Sequence, residues 1–170
     1  MTAALRPSDV AAIAAEADAA LARRAERYPE LVAQGRLPAD QAALEQRVWR
    51  AIAADWSWAA GQPRRAFEDA GLDEKRAAVA DSIRRFDRQL AAAITAAPAD
   101  VRRDCTEGRD LTELAQLHGD AVAPILAIHA QRELVTAMRA MYVLHHPFRE
   151  FARLRARALA AGGPPQRSAA

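Results

Sequence analysis

An all-α, single-domain bundle of about six helices is the fold class that this sequence predicts, and three observations predict it. Alanine, the strongest helix former, supplies about a quarter of the chain. Apolar residues recur at spacings of three and four over long stretches, while no stretch of useful length alternates as a strand does. The seven glycines fall at the ends of the helical stretches. A chain of 170 residues fits one domain, placed here at 1–161.

The elements follow in order. Ser8 and Asp9 open a first helix that runs to about Arg27. Tyr28-Pro29 is expected to interrupt it, with Pro29 starting a short helix that Gly35 ends. A third helix from Pro38 to Ala60 carries Leu44, Val48, Ala51, Ile52 and Ala59 on one stripe. Trp49 and Trp56 widen that stripe, with Trp58 at its edge. A short helix is expected from Pro63 to Ala70. From Asp73 to Ala97, Val79, Ile83, Phe86, Leu90 and Ala93 mark an apolar face, opposite Asp81, Arg84, Arg85 and Arg88. Pro98 to Asp110 is polar and reads as a candidate functional loop. After a short helix ending near Gly119, Asp120 to Leu144 reads as the most buried helix. His145-His146-Pro147 ends it, and Phe148 to Ala161 forms the last. Residues 162–170 read as a disordered tail.

Charge narrows the function classes. The net charge is +2 and the pI about 9.2, well short of the excess of a dedicated nucleic-acid binder. Segments 1–60, 61–110 and 111–170 carry about −1, about zero and about +3, so an electrostatic footprint is expected at the C-terminal end. Lys75 is the only lysine; an Arg- and Ala-rich composition of this kind follows from a GC-rich genome. One cysteine excludes an intrachain disulfide and a thiolate metal cage. No basic region followed by an apolar one opens the chain, so a cytoplasmic location is expected. Pro124, His129, Arg132, Glu133 and Arg139 break the stretch from Ala121 to Leu144, which does not read as a membrane span.

Several residues carry candidate chemistry. Arg149, Arg153 and Arg157 stand at i, i+4 and i+8 on the last helix, with Phe148, Phe151 and Leu159 expected on its far side. Such a basic stripe suits phosphate backbone, an anionic membrane surface or an acidic protein groove; it equally describes a solvated outer face. Arg84, Arg85 and Arg88 form a second basic face. Three tryptophans on one helix suit a ligand platform or a core that alanine leaves thin. Asp55 falls on the apolar stripe, where it needs an arginine partner or serves as a pocket acid of raised pKa. His129 and Glu133, four apart, suit a shared metal, a hydrogen-bonded base pair or a buried packing pair, and no further ligands at helical spacing complete a metal site. His118, His145 and His146 lie near helix ends, where capping is expected. Cys105 lies among arginines that would lower its pKa, but no base for it is visible. No phosphate loop, GxSxG elbow or nicotinamide fingerprint is present, and neither a cofactor nor a metal is expected.

Arg24, Tyr28, Pro29, Val32, Gly35, Arg36, Ala42, Glu45 and Ala51 carry a resemblance. On them, residues 24–56 resemble a helical segment of small hypothetical proteins of bacteriophages and integrated mobile elements. Val48-Trp49-Arg50 stand where that family usually has Met or Leu followed by an acid. The resemblance implies no particular activity. The function expected is a non-enzymatic accessory protein that binds a macromolecule, protein first and nucleic acid second, through the basic stripe. The alternative is an enzyme or small-molecule binder with a pocket near Trp49, Asp55, Trp56, His129 and Glu133. A homo-oligomer through the Val79–Leu90 face is a third expectation.

Overall fold

The computed structural model describes residues 5–66 and 69–162. Seven α-helices and a 3-10 turn account for the architecture, and no strand occurs among the described residues. The helices are α1 (Pro7–Ala33), α2 (Ala39–Ala59), α3 (Leu72–Ala96), α4 (Ala99–Thr106), α5 (Leu111–His118), α6 (Ala123–Tyr142) and α7 (Pro147–Ala160). The 3-10 turn, Gly119–Val122, joins α5 to α6. The expected tail beyond Gly162 lies outside the described residues.

The expected break at Tyr28-Pro29 is absent, because α1 runs through Pro29 to Ala33. Proline removes one donor within the last turns. Tyr28 is nevertheless buried, and its hydroxyl donates to Glu45 on α2, so packing holds the helix across the missing bond. Gly35, at φ +66°, then ends the helix in the left-handed region, and the Arg36 N–H closes the turn on Leu31 O at 2.9 Å. The helix expected over Pro63–Ala70 is also absent from the described part of that segment. Arginines from elsewhere capture the carbonyls around it. Arg155 donates to Gln62 O at 2.7 Å and Arg47 to Asp69 O at 2.7 Å.

Pro98–Asp110 is not a loop, since α4 occupies most of it and turns Val101 and Asp104 inward. Only Glu107 to Arg109 link it to α5, whose N-cap Asp110 accepts from the N–H groups of Thr112 and Glu113 at 2.7 and 2.9 Å.

The main core joins α1, α2, α3, α6 and α7. Helix α1, with Ala14, Ala17 and Ala20 buried, lies along α2, α3 lies along α6, and α7 packs on α2. The most buried helix is α2, with eleven buried residues against five on α6. Neighbours on three sides cover α2, whereas Leu126, Ile128 and Leu134 of α6 are only half-buried. Leu44, expected inside, is exposed at the open end of α2. The Val79–Leu90 face is consumed within the chain: Val79, Ile83 and Phe86 join the main core and Leu90 a second one. It is therefore not a free surface for a second copy.

The second core is small, built from Ala97, Val101, Leu114, Val122 and Ile125. A polar clasp closes it. His118 Nε2 lies 2.9 Å from Asp104 Oδ2, and Arg103 and Arg109 approach the other oxygen at 3.3 and 3.6 Å. The hydrogen bond from His118, aided by the two arginines, holds the Asp104 carboxyl below its usual range. A carboxyl whose folded pKa is depressed contributes stability above its unfolded value, and that stability disappears as pH falls through the folded value. Asp104→Asn removes this dependence. Thermal unfolding followed through an acid titration should give a flatter curve for the variant; parallel curves would show that the clasp contributes nothing.

Candidate functional site

The last helix is held by its inner face. Phe151, Leu154 and Ala158 are buried, and Phe151 meets Trp56 edge-on at 5.1 Å between ring centroids. Arg155 also turns inward, donating to Trp58 O at 2.6 Å and Gln62 O at 2.7 Å while its guanidinium lies over the Trp58 ring. These contacts fix the rotation of α7, and with it the outward direction of the basic stripe.

Arg149, Arg153 and Arg157 are all exposed. Arg153 pairs with Glu150. Arg149 and Arg157 form no ion pair among the described residues. Of the residues expected on the far side, Phe151 is buried, whereas Phe148 and Leu159 are 58% and 52% exposed. The outer surface of α7 is thus basic and apolar together. Beside it, between α6 and α7, runs a groove of about 480 Å³ with Met141, Leu144 and Leu154 on its walls and Arg157 at its edge. His145 and His146 line the same groove with their rings 4.4 Å apart, and neither caps a carbonyl among the described residues.

The second basic face is divided. Arg84 pairs with Asp81, Arg85 reaches Glu45 at 3.3 Å, and Arg88 stands without a partner among the described residues. Local acids neutralise two of the three, so they do not present one continuous cationic surface.

The five residues expected around a pocket do not converge. Trp49 and Trp56 are core residues. Trp49 faces an arginine-lined cleft between α1 and α3, while Asp55 borders a separate small cavity. His129 is half-buried with no hydrogen bond, and Glu133, 54% exposed, accepts from its neighbour Arg132 at 3.0 Å. The spacing of His129 and Glu133 is real, but α6 buries the stripe of Ile125, Val135 and Met138 instead. None of the five principal cavities is lined by more than one of these residues.

Asp55 does have a partner, and it is lysine. Lys75 Nζ donates to Asp55 Oδ2 at 2.9 Å and to Asp69 Oδ1 at 3.3 Å; the Lys75 side chain is 2% exposed. The Tyr142 hydroxyl donates to the same Asp55 oxygen at 3.1 Å. Burial raises the Asp55 carboxyl above the usual carboxylate value, and Lys75 and Tyr142 oppose that rise. Burial and the neighbouring carboxylate push the Tyr142 hydroxyl far up, which keeps it a donor. Sequence reasoning missed this cluster. Its one visible signal was a single lysine in a chain that otherwise uses arginine.

His118 serves the Asp104 clasp rather than a helix end. Cys105 lies on α4, half-buried against the second core. No group of His, Cys, Asp or Glu among the described residues is arranged to hold a metal ion, and no helix among them is long and apolar enough to cross a membrane. Comparison with protein-family models, with curated proteins and with solved structures finds no match.

Proposed function

We propose that this chain is a non-enzymatic interaction protein whose α7 docks on an acidic surface of another protein. One observation carries the reading: Arg149 and Arg157 stand exposed with no acid paired to them among the described residues, and Phe148 and Leu159 are exposed on the same helix. Arginine and aromatic residues are the side chains that most often anchor protein interfaces. A phosphate backbone would neutralise the arginines but leave Phe148 and Leu159 facing water, so a protein partner uses more of this surface. The resemblance of residues 24–56 to phage and mobile-element proteins supports an accessory role toward a host or phage protein, with the cytoplasm as the proposed location.

The test compares wild type with the triple variant R149E/R153E/R157E as immobilised baits in bacterial lysate, with and without nuclease treatment. A discrete protein held by wild type and lost from the variant, with unchanged helicity, supports the proposal. Equal retention by both baits removes α7 from it. Loss of all bound material on nuclease treatment replaces the protein partner by nucleic acid, whose binding should weaken steeply with salt.

A further inference from the structure

Arg24 is the one arginine among the described residues that is buried, at 8% exposure. Its guanidinium lies 4.0 Å over the Trp49 ring, which fixes its plane. Nη1 donates to Ala20 O at 2.8 Å and Nη2 to Ser82 Oγ at 3.0 Å, both neutral acceptors. Nε has no hydrogen-bond partner among the described residues. The nearest carboxylate oxygen, Glu45 Oε2, is 3.9 Å away and already accepts from Tyr28 and Arg85. Glu45 and the Tyr28 hydroxyl therefore answer the buried charge only in part, and a buried charge left so is costly. Burial is the main cause that lowers the Arg24 pKa, to about 10, which still leaves it cationic at neutral pH.

The surroundings add positive charge. Arg24 lines a cleft of about 430 Å³ together with Arg23, Arg27 and Arg85. That volume falls within the range of small-molecule sites, roughly 300–1,000 Å³. Glu16 is the only acid on its walls, and Arg23 takes it up. Arg27 is exposed and has no partner among the described residues. Gln89 and Gln131 supply neutral polar groups, while Leu31 of α1, Phe86 of α3 and Val135 of α6 add apolar walls.

We propose that this cleft binds a small organic phosphate, with the phosphoryl oxygens held by Arg24, Arg27 and Arg85 and the organic group against Phe86 and Leu31. A carboxylate offers one charge and two oxygens to Arg27 and to Arg24 and Arg85, two cations that share the single carboxylate of Glu45. A phosphomonoester offers close to two charges and three terminal oxygens, which matches them better. The apolar walls separate an organic phosphate from the free ion, since inorganic phosphate leaves those walls unused.

Calorimetric titration with phenyl phosphate and with inorganic phosphate, at ionic strength held constant with potassium chloride, tests the site. Phenyl phosphate is expected to bind at least tenfold more tightly than inorganic phosphate. Arg27→Gln, an exposed change that breaks no internal contact, should weaken phenyl phosphate about tenfold without altering the unfolding midpoint of the free protein. The triple α7 variant should bind it as wild type does. No heat of binding, equal affinity for the two phosphates, an Arg27→Gln variant that binds like wild type, or loss of binding in the α7 variant would each overturn the proposal.

Discussion

Replacing Lys75 by methionine is expected to destabilise the fold by about 3–5 kcal/mol, the usual cost of leaving one member of a buried ion pair alone. Domains of this kind have only about 5–15 kcal/mol of stability, so the variant stands near unfolding. Methionine fills the same channel, and the loss is therefore electrostatic rather than a cavity. Without Lys75, Asp55 keeps only the Tyr142 hydroxyl, and burial raises its carboxyl further. A group whose folded pKa is raised contributes stability that is full below its unfolded pKa and is lost as pH rises through the folded one. The deficit of Lys75→Met relative to wild type should accordingly grow from mildly acidic to neutral pH. Asp55→Asn should cost less, because Lys75 retains Asp69 at 3.3 Å, at the exposed edge of the cluster. The double variant, which removes both charges, should recover part of the Lys75→Met loss. Urea unfolding of the three variants at two pH values measures all of this. A Lys75→Met variant within 1 kcal/mol of wild type would show that the pair is not structural.

The lysine also shows where sequence reading stops. The need of Asp55 for a cation was legible from its place on the α2 stripe. Its partner was expected to be arginine, because all but one of the chain's basic side chains are arginine. A compact ammonium suits a site bordered by the Phe148 ring, 5.9 Å from Nζ, better than a planar fork does. That shape exists only once α2, α3 and α7 have met. The α3 face was readable because its apolar period records packing directly. The α4 segment was not: a two-turn helix that buries only Val101 and Asp104 shows mostly its polar outside. Tyr28-Pro29 was a correct local stop signal overruled by the hydrogen bond from Tyr28 to Glu45 on another helix. His129 and Glu133 share a helical face, but periodicity within one helix does not say which face its neighbours cover. The arginine cleft was invisible for the same reason, since α1 and α3 bring its walls together only on folding.

Trp56→Ala is expected to cost about 3–5 kcal/mol, the range for removing a large aromatic side chain from a core. Trp56 is 0% exposed, and alanines flank it along α2. Alanine has no side-chain length with which to move into the space, so the cavity should stay open and the cost should lie at the upper end. The damage should also be local. Trp56 meets Phe151 at 5.1 Å, Phe151 meets Tyr142 at 5.7 Å, and this aromatic run joins α7 to α2 and α6. Losing its first ring should free α7 before the rest of the fold, and hydrogen exchange should then show the amides from Phe151 to Ala158 exposed earlier than those of α1. Phe151→Ala should produce the same order. The two together should cost less than their sum by about 0.5–1.5 kcal/mol, the worth of an edge-on aromatic pair beyond its buried area. A uniform rise in exchange across all helices would mean that α7 belongs to the cooperative core. In that case the basic surface would be as rigid as the fold itself, and any partner would meet Arg149, Arg153 and Arg157 in the arrangement seen here.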